Sequence, residues 1–173
     1  DIAFNDYEFF VTYSWIDSLG INWTVGLDAL SFPMVWLTTF LLPVTIIATW
    51  NEKYGATYFP LLLMMGGALI GVFVSLDLFM FYIFWELTLI PMFFLILKWG
   101  GKDRKYAAQK FFIYTFSASI LMLIGILIVY FHSAPAGNFT GTLTGHHFDM
   151  TALMQQSTLI DSAGLRMVVF LLL

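Results

Sequence analysis

The sequence predicts an all-α protein, a polytopic transmembrane helix bundle, and three observations carry that expectation. Hydrophobic residues make up 60% of the 173 positions and charged residues only 10%, against about 25% charged in a soluble domain. So little polar surface cannot cover a globule of this size, and lipid must do the covering. Several uninterrupted apolar stretches approach the ~20 residues that a helix needs to cross hydrocarbon. The basic residues, finally, collect in alternate connections between those stretches, as they do when loops alternate across a bilayer.

Residues 1–26 form an N-terminal segment in which aromatic and polar groups alternate around Asp17-Ser-Leu-Gly20, a pattern that predicts a short hairpin or an interfacial strand pair. A transmembrane bundle follows over 27–173. Its first span covers about 27–50 and carries Pro33 and Pro43; its second, 57–75, is rich in small residues at Gly66, Gly67, Ala68 and Gly71. The third covers 76–97 and the fourth 106–131. The turn Ser75-Leu76-Asp77 is so short that the second and third helices must be antiparallel neighbours. A polar loop, 132–164, with a short amphipathic helix over 150–159, leads to a fifth span that begins near Leu165 and breaks off at Leu173. Four full spans plus the start of a fifth read as a piece of a larger protein.

Lys53 lies between spans one and two, and Lys98, Lys102, Arg104, Lys105 and Lys110 cluster between spans three and four; Arg166 alone falls on the other side. The positive-inside rule makes the basic face cytoplasmic or its organellar equivalent. Segment 1–26, the Asp77 turn and loop 132–164 then face outward. The chain has no cysteine, which excludes disulfides and Cys-ligated zinc or iron–sulfur centres within it. His132, His146 and His147 share one loop region and read as solvated surface. There is no phosphate loop, nucleophile triad or basic-aromatic nucleic-acid patch, so the partner legible in the composition is the lipid bilayer, not nucleic acid.

One residue breaks the pattern. Glu86 is the single carboxylate in the interior of the third span, whose outer end carries Asp77, and lies about 18 Å along the helix from Lys98. An ionisable group at that depth costs about 2.5–3.5 kcal/mol on insertion scales. Its bland reading is a protonated carboxyl locking helix packing through one hydrogen bond; its functional reading is a proton-carrying group. Tyr82, one turn earlier on the same face, is a candidate hydrogen-bond partner. Pro91 deprives the Leu87 carbonyl of its amide donor and predicts a kink. Lys110, about 6 Å into the fourth span, either snorkels to the interface or serves as the inner stop of a proton route. Gly67 and Gly71 make a small-xxx-small spacing suited to close helix approach.

The run Phe84-Trp-Glu86-Leu-Thr-Leu-Ile-Pro-Met-Phe-Phe-Leu-Ile resembles the antiporter-like membrane subunit of respiratory complex I, the NADH:quinone oxidoreductase subunit M or chain 4 family. Supporting segments are Gly26-Leu-Asp-Ala-Leu-Ser31, Gly71-Val-Phe-Val-Ser-Leu-Asp77, Trp99-Gly-Gly101 and Tyr106-Ala-Ala-Gln-Lys-Phe-Phe-Ile-Tyr-Thr115. The resemblance is strong over about residues 26–131. It implies a partial antiporter-like fold, a portion of a subunit of roughly fourteen helices built on inverted repeats, with Glu86 as the family's key glutamate and Lys110 as the lysine of its Lys-Phe-Phe motif. The lysine that the family pairs with this glutamate would lie beyond Leu173.

The implied function is proton translocation through a buried Glu, driven by electron transfer elsewhere in the complex. A nearby ammonium favours the ionised carboxylate, and its withdrawal favours proton uptake. FMN, iron–sulfur clusters and quinone are implied in other subunits, with no cofactor in this chain. The implied partners are other membrane subunits, including homologous antiporter-like ones, in a bacterial or archaeal cytoplasmic membrane or an organelle inner membrane. The alternatives are a multisubunit Na+/H+ antiporter, a membrane-bound hydrogenase-type complex, and a purely structural membrane subunit.

Overall fold

The computed structural model describes residues 8–16, 19, 21–51, 54–132, 148–150, 169 and 172. The alternating N-terminal segment folds as an antiparallel hairpin of β1 (Glu8–Ile16) and β2 (Ile21–Leu27). Thr12 and Thr24 face each other across it with their hydroxyls 3.0 Å apart. Four helices follow: α1 (Ser31–Ala48), α2 (Tyr58–Val74), α3 (Leu78–Trp99) and α4 (Arg104–His132). The chain is thus mostly helical, with one strand pair added at its start.

A reciprocal box launches α1: the Ser31 amide donates to the Asp28 carboxylate at 2.6 Å and the Asp28 amide donates to the Ser31 hydroxyl at 3.0 Å. Ser31 holds the Asp28 carboxyl below the usual carboxylate range. No residue of α1 is buried. Its threonines return their protons to the helix, with Thr38, Thr39 and Thr45 each donating at 2.8 Å to the carbonyl four residues back. An apolar environment tolerates hydroxyls satisfied in this way.

Of the four expected spans, α1, α3 and α4 are long and apolar enough to cross a membrane, while α2 is an apolar helix of 17 residues, about 25 Å long. It ends at Val74, within a residue of the expected bound, because Ser75 takes an extended conformation with its hydroxyl bonded to the Gly71 carbonyl. α3 runs unbroken through Pro91, whose ring is buried. The helices pack in a row, each mainly against its neighbours in sequence.

Close approach in that row depends on two glycines. A Cβ on Gly71 would overlap the Phe84 ring of α3, and one on Gly66 would overlap the Leu42 side chain of α1. Gly67 has open space around it. The expected Gly67–Gly71 pair is therefore corrected to Gly66 and Gly71, which are five residues apart and serve opposite neighbours.

At one end of the row, β2, the 75–77 connector and residues 148–150 lie side by side. Leu76 donates its amide to Thr24 at 3.0 Å, Leu78 to Phe148 at 2.9 Å, and the Met150 amide returns to Leu76 at 2.9 Å. Beneath them Ile21, Ile126, Tyr130 and Phe148 form a buried cluster with Phe79, Tyr82 and Met122 packed against it. The Tyr130 hydroxyl donates to the Leu19 carbonyl at 3.1 Å. The opposite end carries the basic residues and an aromatic group. There Lys98 donates to the Thr57 hydroxyl at 3.1 Å, Arg104 donates to the Lys98 carbonyl at 2.9 Å, and Trp99 meets Tyr54 and Tyr58 edge-on. Aromatic and basic belts of this kind mark a membrane–water interface.

Lys53, Arg166, His146, His147 and nearly all of the expected 132–164 loop and fifth span lie outside the described residues. Val169 and Leu172 are described as helical, and Val169 is buried.

The glycine contacts give a paired expectation. Gly71→Ala forces the Phe84 ring aside and should destabilise the subunit by about 1–3 kcal/mol, the usual range for overpacking, whereas Gly67→Ala should be neutral. Thermal unfolding of the two solubilised variants separates them, and equal losses would contradict the packing described.

Candidate functional site

Glu86 lies about 12 Å from the start of α3 by helical rise, where α3 passes from its contact with α4 to an open face. Leu89 on one flank is buried, and Ile90 on the other is 45% exposed. Phe93, two turns further along, meets Phe112 of α4 at 5.5 Å between ring centroids. A pocket of about 380 Å³ sits at this seam, lined by Tyr82, Ile83, Glu86, Leu87, Leu89, Ile90, Phe112 and Phe116. Its walls are hydrocarbon apart from Tyr82 and Glu86.

The carboxylate is incompletely satisfied. Glu86 Oε1 is buried and has no hydrogen-bond partner among the described residues. Tyr82 places its phenol beside both the Glu86 carboxylate and the Ser119 hydroxyl. Ser119 is 3% exposed and donates to the Phe116 carbonyl at 2.9 Å. The polar line therefore runs Glu86, Tyr82, Ser119 and crosses from α3 to α4. Sequence reasoning reached the first two members and missed the third. A serine inside an apolar helix usually bonds its own backbone, and only the facing of α4 toward Tyr82 sets Ser119 apart from Ser117.

Lys110 is not brought to this seam. It lies nine residues from Ser119, about 180° round the helix, on the exposed side of α4. Its Nζ donates to the Tyr106 hydroxyl at 3.3 Å and sits 5.4 Å and 5.9 Å from the ring centroids of Tyr106 and Tyr114. No group of three or more His, Cys, Asp or Glu side chains that could hold a metal ion occurs among the described residues.

A row of apolar helices with one mid-helix carboxylate at a pocket defines a polytopic membrane protein with a buried acid. Comparison with known proteins then places it. The transmembrane family of NADH:quinone oxidoreductase and the Mrp antiporter matches residues 75–173, more than half of the chain, and the chain belongs to that family. It is 42% identical over 166 residues to F(420)H(2) dehydrogenase subunit M of Methanosarcina mazei, covering 95% of this chain and 32% of that one. It is 43% identical over 122 residues to an NAD(P)H-quinone oxidoreductase chain 4 of Synechococcus, covering 70% of this chain and 23% of the relative. Among solved structures it resembles a chain of respiratory complex I from Thermus thermophilus with bound NADH, at a TM-score of 0.73 and 26% identity, over 95% of this chain and 32% of that one. The chain thus spans about a third of the length of such relatives. The family and the apolar helices together make it a multi-pass integral membrane protein.

Tyr82→Phe keeps the ring and removes the hydroxyl between Glu86 and Ser119. One such polar contact contributes about 1 kcal/mol, so the variant should lose about that much stability with assembly unchanged. Thermal unfolding of the solubilised subunit measures it, and an unchanged midpoint would remove the Tyr82 hydroxyl from the polar line.

Proposed function

We propose that this chain is part of a proton-translocating membrane subunit of a complex I-type quinone oxidoreductase, with Glu86 as the group that takes up and releases the proton. The observation that carries the reading is the buried Glu86 Oε1, without a partner among the described residues, at the rim of a pocket between α3 and α4. A carboxylate held only for packing has its oxygens paired; an oxygen left open beside a cavity has room for a moving cation, a water or a proton. The two named relatives, an F(420)H(2) dehydrogenase subunit and an NAD(P)H-quinone oxidoreductase chain, favour a redox-driven complex within a family that also includes Mrp antiporters.

Physically, the site works by switching what faces the carboxylate. When a cation stands in the pocket, ionised Glu86 is stabilised; when it withdraws, a desolvated and unpaired carboxylate takes a proton instead. Tyr82 and Ser119 keep that proton on the α3–α4 seam. In this reading electron transfer takes place in other subunits of the assembly, where flavin, iron–sulfur and quinone chemistry would reside. Lys110, turned away and caged by Tyr106 and Tyr114, serves in this reading as an interfacial anchor at the basic end of α4. That end faces the cytoplasm or its organellar equivalent, and the hairpin end faces outward.

Glu86→Gln should abolish or sharply reduce pumping in vesicles reconstituted with the full complex. The variant should be at least as thermally stable as the parent, because it removes a charge that is incompletely paired. Near-normal proton-to-electron stoichiometry would sink the proposal. Lys110→Gln is expected to reduce pumping far less than Glu86→Gln, and an equal loss in the same assay would return Lys110 to the proton route. Co-purification separates the two branches of the family: iron–sulfur subunits accompany a redox complex and are missing from an antiporter.

A further inference from the structure

Asp77 is the one described carboxylate that is fully buried, at 0% exposure, and the chemistry at Glu86 makes no direct use of it. Its Oδ1 accepts the Phe79 amide at 2.9 Å and the Met80 amide at 3.2 Å, capping α3, while its Oδ2 accepts the Asn22 amide of β2 at 3.3 Å. The backbone around it is gripped from both sides, by Thr24 through Leu76 and by Phe148 and Met150 through Leu78 and Leu76. A single side chain therefore ties the start of α3 to the hairpin, inside a three-segment ribbon that includes residues 148–150.

We propose that Asp77 is a positioning residue for Glu86: it fixes the axial position and rotation of α3 and so holds the Glu86 carboxylate at the rim of the pocket. The inference rests on Glu86 being the proton-carrying group. Between Leu78 and Ile90 the helix contains neither glycine nor proline, so this segment has none of the usual sites of bending. A rotation or slip at Asp77 reaches Glu86, nine residues and about 13 Å away, without being absorbed. Glu86 is sensitive to such a rotation because it lies between a flank buried against α4 and an open flank. Turned one way the carboxylate moves toward Tyr82 and buried Leu89, and turned the other it moves toward the exposed flank at Ile90.

The clamp also responds to pH. The charged group facing Asp77 from across the ribbon is Asp149; β2, α2 and the first two turns of α3 carry no acidic or basic side chain, and α4 presents Tyr130 to this cluster. Burial, reinforced by Asp149, outweighs the three amide donors and pushes the Asp77 carboxyl up to about 6 from 3.8. A raised carboxyl favours the folded junction while it is protonated. That contribution is complete below 3.8 and is lost as pH rises through about 6.

The experiment uses the complete subunit in its complex, reconstituted in lipid nanodiscs, and reads modification of Glu86 by a hydrophobic carbodiimide through mass spectrometry, with amide exchange of residues 75–80 in parallel. Asp77→Ser retains a helix cap but is too short to reach Asn22. It should assemble and label Glu86 about fivefold faster, the factor that one hydrogen bond is worth. Asp77→Asn keeps the cap through its one oxygen, but its Nδ2 cannot accept the Asn22 amide, so it should label as fast as Asp77→Ser. In the parent, exchange corrected for its intrinsic rate should rise as pH passes through about 6, and in Asp77→Asn that step should be missing. Parental labelling of Glu86 in Asp77→Ser would overturn the proposal, as would the same exchange step in Asp77→Asn. Neither readout depends on pumping, so a failure here is distinguishable from a failure of Glu86 as the proton carrier, which Glu86→Gln reports.

Discussion

Hydrocarbon offers no donor or acceptor to a polar atom, so each such atom in a span must find its partner within the protein. The described helices meet this constraint almost entirely by local means. Thr38, Thr39 and Thr45 in α1, Thr49 at its C-cap, Thr88 in α3, and Thr115, Ser117 and Ser119 in α4 all donate to carbonyls one turn back along the chain. Each can do so because its hydroxyl is short and can donate. An ionised carboxylate can only accept, and inside a helix no backbone amide is free to serve it. Glu86 is therefore the place where local satisfaction fails and a partner from another element is needed.

The packing explains why that partner is incomplete here. Helices arranged in a row, each against its sequence neighbours, bury two flanks of α2 and α3 and leave their broad faces open. Glu86 stands where a buried flank meets an open face. Tyr82 and Ser119 lie on its buried side, and the pocket at the α3–α4 seam opens beside it. Relatives about three times as long as this chain have further helices with which to close such a face. In the proposed mechanism a cation carried by one of them would complete the site.

The sequence disclosed what depends on one helix alone and concealed what depends on how two helices face each other. Span positions followed from hydropathy, the hairpin from alternation, and Glu86 from the cost of its charge. The wall that Gly66 makes with Leu42 was misassigned to Gly67, because adjacent glycines differ by about 100° in facing and composition carries no facing. Ser119 was invisible for the same reason. For Lys110 the sequence leaves open an interfacial anchor or the inner stop of a proton route, because depth and azimuth are independent, and the structure adds that its azimuth is opposite to that of Ser119.

α3 is the element in which these strands of evidence meet, and its construction is asymmetric. Its first turn is capped by a buried carboxylate and bound to two other segments, whereas its last turn ends at Gly100 with exposed lysine contacts to Thr57. Between them, Glu86 precedes Pro91 by five residues. A proline within a helix removes one backbone hydrogen bond and concentrates bending near itself. Motion of the basic end is therefore absorbed beyond Glu86, while the half of the helix carrying Glu86 stays registered to the hairpin end. Under the proposed function this arrangement has a use, since a carboxylate that stays in place feels the full change in field when a cation approaches or withdraws. Asp77 and Pro91, neither of which touches the pocket, thus bracket the group that does.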